Sequence, residues 1–256
     1  MKTGFARGLA AMAVCGVALS ACGGTQQQEA PPPAAAVAVT NPVDPATAGS
    51  ISGTITLQGT PPPAARLDMS TDSYCRDQAQ ATDESVVVGN GGALQNVFVY
   101  VKDGLGDRTF PVPTTAVAID QKGCRYVPHV LGIQVGQTLD IVSSDNTLHN
   151  VHAVAQNNRE FNKAQQFAAI RHTHVFGAKE IMVPFKCDVH KWMNAYVGVL
   201  DHPFFAVTGA NGTFELKGLP PGTYTVEAWH EKLGTQTQTV TVGDKQASTA
   251  AFTFKI

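Results

Sequence analysis

Residues 212–229 read GTFELKGLPPGTYTVEAW. Apolar Phe214 and Leu216 alternate with Glu215 and Lys217, a Pro-Pro-Gly turn follows, and Tyr224, Val226 and Ala228 then alternate with Thr225 and Glu227. Successive side chains of a strand point to opposite faces, so each run gives one apolar and one polar face. The same rhythm recurs in ISGTITLQG (51–59), LQNVFVYVKDG (94–104), LGIQVGQTLDIVSS (131–144), HNVHAVA (149–155), EIMVPFKCD (180–188), AYVGVLD (195–201), TQTQTVTVG (235–243) and STAAFTFKI (248–256). Short alternating runs between Gly, Pro and Asn breakers predict an all-β chain built as sandwiches. Residues 157–171 are the one stretch that reads as a helix or a long loop.

The N-terminus is of another kind. Lys2 and Arg7 precede an uncharged run of small and apolar residues, 8–21, too short to span a bilayer. It reads as an export signal, residues 1–21, removed from the mature chain. Residues 22–49 are rich in Pro, Ala and Gln, hold almost no large apolar side chain, and are expected to form a disordered tether. The ending LSAC, Leu19–Cys22, resembles the lipobox of bacterial lipoproteins. The resemblance implies lipidation of Cys22, and Gly23 after it implies sorting to the outer membrane, on its periplasmic face or at the cell surface. Anchoring is stable when more than one acyl chain is attached.

The whole chain carries 18 basic and 20 acidic residues, and loss of Lys2 and Arg7 makes it more acidic. That balance leaves no basic footprint for nucleic acid. Of five cysteines, Cys15 leaves with the signal and Cys22 takes lipid, so Cys75, Cys124 and Cys187 remain. In an oxidising compartment the simplest arrangement is a Cys75–Cys124 disulfide with Cys187 held as a thiolate by a metal; the other pairings leave a different cysteine odd, and spacing does not choose among them.

Chemistry concentrates in FKCDVHKWM, 185–193, where Cys187, His190 and Met193 follow one another at three-residue steps, with His149 upstream in TLHNVHA. A thiolate, two imidazoles and a weak axial thioether suit an ion that passes between Cu(I) and Cu(II) without large rearrangement. Rival chemistries fit less well. A dinuclear copper loop needs a second cysteine, covalent haem needs Cys-x2-Cys-His, and zinc has little use for Met193. A Cys–His nucleophile leaves Met193 unexplained. A buried cysteine with incidental histidines is the plain alternative. His172 and His174 fall on one side of a strand, where a solvated edge is a simpler reading than a second metal site. His152 reads as structural, and His129, His202 and His230 have no evident partner. Trp192 reads equally as an apolar rim beside His190 or as packing over the loop.

The order His…Cys-x2-His-x2-Met resembles that of cupredoxins, amicyanin-like ones above all, with VPHVLGIQVGQTLDIVSSD (127–145) similar to the strand pair before the first ligand. The resemblance implies a mononuclear type 1 copper held by His149, Cys187, His190 and Met193, with the backbone N–H of Asn150 reaching the thiolate. GSISGTITLQGTPPPAA and GTFELKGLPPGTYTVEA resemble the two halves of a carboxypeptidase regulatory-like, prealbumin-type sandwich. The expected fold is therefore a cupredoxin-like Greek-key sandwich (113–203) inserted in, or fused to, a prealbumin-like sandwich contributed by 50–112 and 204–256. Three consecutive pieces sharing one sheet are the alternative.

The expected function is one-electron transfer by a membrane-tethered copper protein, not turnover of a substrate. His190 is expected near the surface as the exit path, toward a c-type cytochrome or a periplasmic oxidoreductase. Two other readings are a carbohydrate- or protein-binding module, with a glycan as possible ligand, and a copper storage or delivery protein.

Overall fold

The computed structural model describes residues 43–78 and 81–256. The export signal, Cys22 and most of the tether lie outside the described residues. The last of the expected tether, 43–48, forms a turn in which Asp44 accepts from the Ala46 N–H at 2.8 Å, and Gly49 already belongs to the first strand. Among the described residues no helix is long and apolar enough to cross a membrane.

Sixteen strands are present among the described residues. β1 (Gly49–Gln58) comes first, followed by the one-turn α1 (Ser73–Arg76) and β2 (Phe98–Asp103). Nine strands come next: β3 (Val117–Gln121), β4 (Tyr126–Val127), β5 (Val130–Gln134), β6 (Thr138–Ser143), β7 (His149–Ala153), β8 (Phe161–Gln165), β9 (Arg171–Val175), β10 (Glu180–Lys186) and β11 (Asn194–Leu200). The chain closes with β12 (Phe205–Val207), β13 (Thr213–Leu219), β14 (Gly222–His230), β15 (Gly234–Val242) and β16 (Ala247–Lys255).

These make four sheets, ordered β13-β1-β16, β12-β2-β14-β15, β5-β11-β10-β7-β8 and β4-β3-β6-β9. The first two enclose a core of Ile51, Ile55, Val99, Val101, Tyr224, Val226, Phe252 and Phe254. The last two enclose another, with Ile119, Ile133, Ile141, Val151, Val183, Phe185 and Val197. All strands of the second pair lie between β2 and β12 in the chain.

A third apolar layer joins the two sandwiches. Along β2, Val99 and Val101 face the first core while Phe98 and Tyr100 meet Val130, Met182 and Leu200 across the gap. The alternation that gives most strands a wet face is here apolar on both sides, as a sheet covered on both faces requires. Gly132 and Gly198 are paired on β5 and β11. A Cβ on Gly198 would stand 2.4 Å from the Phe98 ring, and one on Gly132 would stand 2.3 Å from Phe205. The two glycines thus leave a seat for the two rings.

The run 131–144 holds the expected pair of strands, β5 and β6, broken at Gly136, whose φ of +84° suits glycine. Two other stretches depart from the expected local structure. Residues 157–171 are neither helix nor long loop: they carry β8 and lead into β9, which lie at sheet edges and are too polar for an apolar rhythm to show. β3 and β4 come from a stretch with no evident alternation.

Candidate metal centre

β10 ends at Lys186 and β11 starts at Asn194, so 187–193 is the loop that joins two antiparallel neighbours. The Cys187 N–H donates to the Met193 carbonyl at 3.2 Å and the Met193 N–H to the His190 carbonyl at 2.9 Å, which folds the loop into a tight turn. β7 runs antiparallel beside β10 with His152 opposite Lys186. Continued past that pair, the register brings the start of β7, His149, level with the loop.

The structure therefore brings His149, Cys187 and His190 together at one end of the second sandwich. All are buried, and Met193 lies buried in the same apolar cluster as Cys187. The His149 Nδ1 is 2.8 Å from the His190 Nδ1. Cys187 Sγ accepts the His190 backbone N–H at 3.3 Å and is 3.3 Å from Asn150 Oδ1. Asn150 also accepts the Asp188 N–H through Oδ1 at 2.8 Å, so its side chain ties β7 to the loop.

Two carboxylates complete the centre. His149 Nε2 lies 3.1 Å from Asp145 Oδ2, and His190 Nε2 lies 3.2 Å from Asp72 Oδ2. A carboxylate only accepts, so each Nε2 carries the proton that it donates. Each neutral ring then presents a lone pair at Nδ1, and the two lone pairs point at one another. Nothing relieves that repulsion except a cation, either a shared proton or a metal ion. At about 2 Å from one tetrahedral metal ion two nitrogens stand about 3.3 Å apart, so the 2.8 Å pair suits a shared proton as it stands and opens by about 0.5 Å to take a metal ion. Soft sulfur beside two imidazoles fits copper. Imidazole N–H donated to carboxylate is the usual outer support of a ligating histidine.

The protonation balance follows from the same contacts. Burial works to raise the Asp145 carboxyl, but His149 and the N–H groups of Cys124 and Gly123 outweigh it and hold it below the ordinary carboxylate range. Burial likewise raises Asp72, and the Cys75 N–H, His190 and Thr147 outweigh it. For Cys187, burial pushes the thiol up, while His149 and the N–H groups of His190, Asn150 and Val189 bring it below its usual value. Burial pulls His149 down, yet Asp145 and Cys187 hold it above its ordinary value. His190 stays below its own, through burial and the neighbouring His149, against the pull of Asp72. These contacts lower the Cys187 thiol and raise His149, while His190 is held down.

His190 is not near the surface as expected: its side chain is 2% exposed. It is covered by the segment that bears α1, with Asp72 on its Nε2 and Cys75 Sγ at 3.9 Å, and by Trp192, whose ring centroid is 4.8 Å away. Trp192 also donates its indole N–H to the Cys124 carbonyl at 3.0 Å. Cys75 and Cys124 are joined as a disulfide, and Cys187 is the free cysteine among the described residues. Ligand-type atoms of Cys75, His149 and His190 lie within 4.8 Å of one another, as do those of Cys124, Asp145 and His149. The disulfide removes both of those sulfurs from ligation.

The other histidines have contacts away from the centre, with Nε2 of His174 and of His230 buried and not hydrogen-bonded. His129 pairs with Glu231 at 2.5 Å, and His152 bridges Asp188 at 2.9 Å and Glu160 at 2.6 Å. His202 Nε2 donates to the Val101 carbonyl at 2.9 Å. His230 Nδ1 accepts from the Lys232 N–H at 3.2 Å. His174 packs on Phe161 and Phe176, with ring centroids at 4.1 and 4.7 Å, and His172 meets the Ala164 carbonyl at 3.3 Å. Sequence reasoning missed Asp72, Asp145 and Tyr126, whose hydroxyl donates to the Asn150 carbonyl. Asp145 had a signal in its place four residues before His149; Asp72 had none.

Residues 193–255 match the carboxypeptidase regulatory-like domain family, a span from the start of β11 through β16. No curated protein matches the chain. Among solved structures, a copper-containing nitrite reductase from Thermus scotoductus SA-01 aligns at 19% identity and a TM-score of 0.33, over 39% of this chain and 25% of that one. This chain thus spans a quarter of the reductase. A reduced single-residue mutant of amicyanin aligns at 22% identity and a TM-score of 0.31, over 34% of this chain and 85% of that one. A purple cupredoxin from Nitrosopumilus maritimus aligns at 24% identity and a TM-score of 0.28, over 32% of this chain and 98% of that one.

Proposed function

We propose that the chain is a copper-binding one-electron carrier, exported and tethered to a membrane through lipid on Cys22. Its site is a mononuclear type 1 centre held by His149, Cys187, His190 and Met193. One observation carries the reading: two buried imidazoles present facing Nδ1 lone pairs beside the Cys187 sulfur, with both Nε2–H groups committed to carboxylates. Copper bound there supplies a single electron that can be gained and lost. The protein's part is to hold the thiolate ready, fix both imidazole tautomers and exclude water. The carboxylates keep the rings from turning as charge changes, so little reorganisation accompanies each transfer. A c-type cytochrome or a periplasmic oxidoreductase is the partner class.

Cu(II) added to the purified protein tests this. Intense visible absorption from thiolate-to-copper charge transfer, with a matching EPR spectrum, is expected; both disappear in Cys187→Ser. A protein that stays colourless, or a Cys187→Ser variant with an unchanged spectrum, overturns it.

The covering of His190 favours one second reading, copper storage or delivery, because a buried ring edge slows electron exchange. Tight Cu(I) binding with ready transfer to a chelator and slow electron self-exchange would select it.

A further inference from the structure

The lid over His190 comes from outside the second sandwich. It lies between β1 and β2, in the chain that builds the first. Asp72 caps α1 by accepting the Cys75 N–H at 3.0 Å, and its other oxygen accepts from His190 Nε2 and from the Thr147 hydroxyl at 3.1 Å. On the opposite side, the Cys124 N–H donates at 2.7 Å to the Asp145 oxygen that accepts from His149. Gly123 donates to the other Asp145 oxygen at 2.8 Å. Each half of the disulfide therefore holds, by its own backbone N–H, the carboxylate that orients one of the two facing imidazoles.

We infer that Asp72 is a positioning residue for His190, and that the Cys75–Cys124 disulfide is a breakable clasp holding both carboxylate–imidazole pairs in register. While the clasp is closed, His190 is sealed from solvent and from any partner. When it opens, the α1 segment is free to lift and bare the His190 edge. Cys75 backs a surface cleft of about 190 Å³ with Arg66, Met69 and Gln78, but both half-cystines are buried, so a reductant reaches the sulfur only as this segment parts from the rest of the chain. The reductant class is a dithiol. Its first thiolate attacks one half-cystine sulfur and forms a mixed disulfide, and the other cysteine leaves as a thiolate that takes up a proton. Its second thiol then displaces the remaining cysteine and the reductant departs as a disulfide, two electrons and two protons having passed to the protein. The inference rests on the copper reading for its purpose but not for its geometry.

The test therefore uses metal-free protein at one fixed pH. Histidines are carbethoxylated, and the rate at His190 is read by peptide mass spectrometry with His202, buried elsewhere, as internal control. His190 is expected to be protected in the native protein. It becomes more reactive by about tenfold or more in Asp72→Ala, in keeping with loss of a hydrogen bond to a charged group. Asp72→Asn has one acceptor oxygen, so with that oxygen on His190 it gives up the Cys75 N–H, and its rate is expected between the native and the Ala values. Reduction with a dithiol, or the double change Cys75→Ser with Cys124→Ser, also speeds His190. If His202 speeds up too, the double variant has lost its fold and Asp72→Ala, with the disulfide intact, decides. An unchanged His190 rate in Asp72→Ala, or equal rates in the Ala and Asn variants, overturns the inference and leaves copper binding untouched. A closed clasp on a protein that takes up no copper sinks the copper reading alone.

Discussion

His149 and His190 face each other through their Nδ1 atoms at 2.8 Å, each ring pinned from behind by an aspartate. The pair is held in a geometry that neither ring would choose in water.

Asp145 should matter almost as much as a ligand. One of its oxygens accepts from both Cys124 and His149, and the other from Gly123. An amide cannot accept on both sides, so Asp145→Asn turns an N–H against an N–H. Copper affinity is expected to fall about 10–100-fold, as for other outer partners of ligating histidines. Competition with a chelator of known affinity measures it; unchanged affinity shows that the carboxylate has no hold on the site.

Asn150 ties the Cys187 sulfur, the Asp188 N–H and, through its amide, the Asp188 carboxylate at 3.1 Å. Asn150→Ala removes the acceptor of the buried-side Asp188 N–H and one partner each from the Cys187 sulfur and the Asp188 carboxylate, at a cost of about 1–3 kcal/mol. Urea unfolding is the measurement, and faster alkylation of Cys187 in the metal-free protein is the accompanying local sign.

The contact between sandwiches is equally open to test. Gly198→Ala drives a methyl into the Phe98 ring, and overpacking of this kind costs about 1–3 kcal/mol. Trimming the ring as well, in Gly198→Ala with Phe98→Leu, should cost less than the sum of the single changes. Strict additivity in denaturant midpoints would show that the ring and the glycine do not touch.

His202 makes stability depend on pH. It is buried, its Nε2–H donates to Val101 and its Nδ1 accepts the Phe204 N–H at 3.2 Å. A second proton has no place, and burial pushes its pKa down to about 4. Unfolded, it titrates near the ordinary histidine value of about 6.5. Between those values the unfolded chain binds the proton that the folded chain refuses. Stability is thus fully present above about 6.5 and is lost as the pH falls toward 4, with a slope of up to about 1.4 kcal/mol per pH unit. His202→Gln should flatten that slope; an identical profile would place the proton elsewhere.

How much of this was legible beforehand depended on the range of the interaction. Local alternation marked β1, β13 and β14, because each strand's apolar face is written in neighbouring residues. It failed for FNKAQ and RHTHV, whose places at sheet edges put polar residues on both faces. The Cys187, His190 and Met193 spacing was visible because one loop carries all three. The contact between Asp72 and His190 spans 118 residues and leaves no local trace. His129 and Glu231, 102 residues apart, were hidden for the same reason.

The layer between the sandwiches bears on any attempt to divide the molecule. Severed near residues 113 and 203, the half that carries Cys187 and His190 would carry off a bare apolar wall of Val130, Met182 and Leu200, and the remainder would display Phe98 and Tyr100 to water. Exposed patches of that kind invite self-association. Neither fragment would stay dispersed in solution, so the chain is best expressed and handled as one piece.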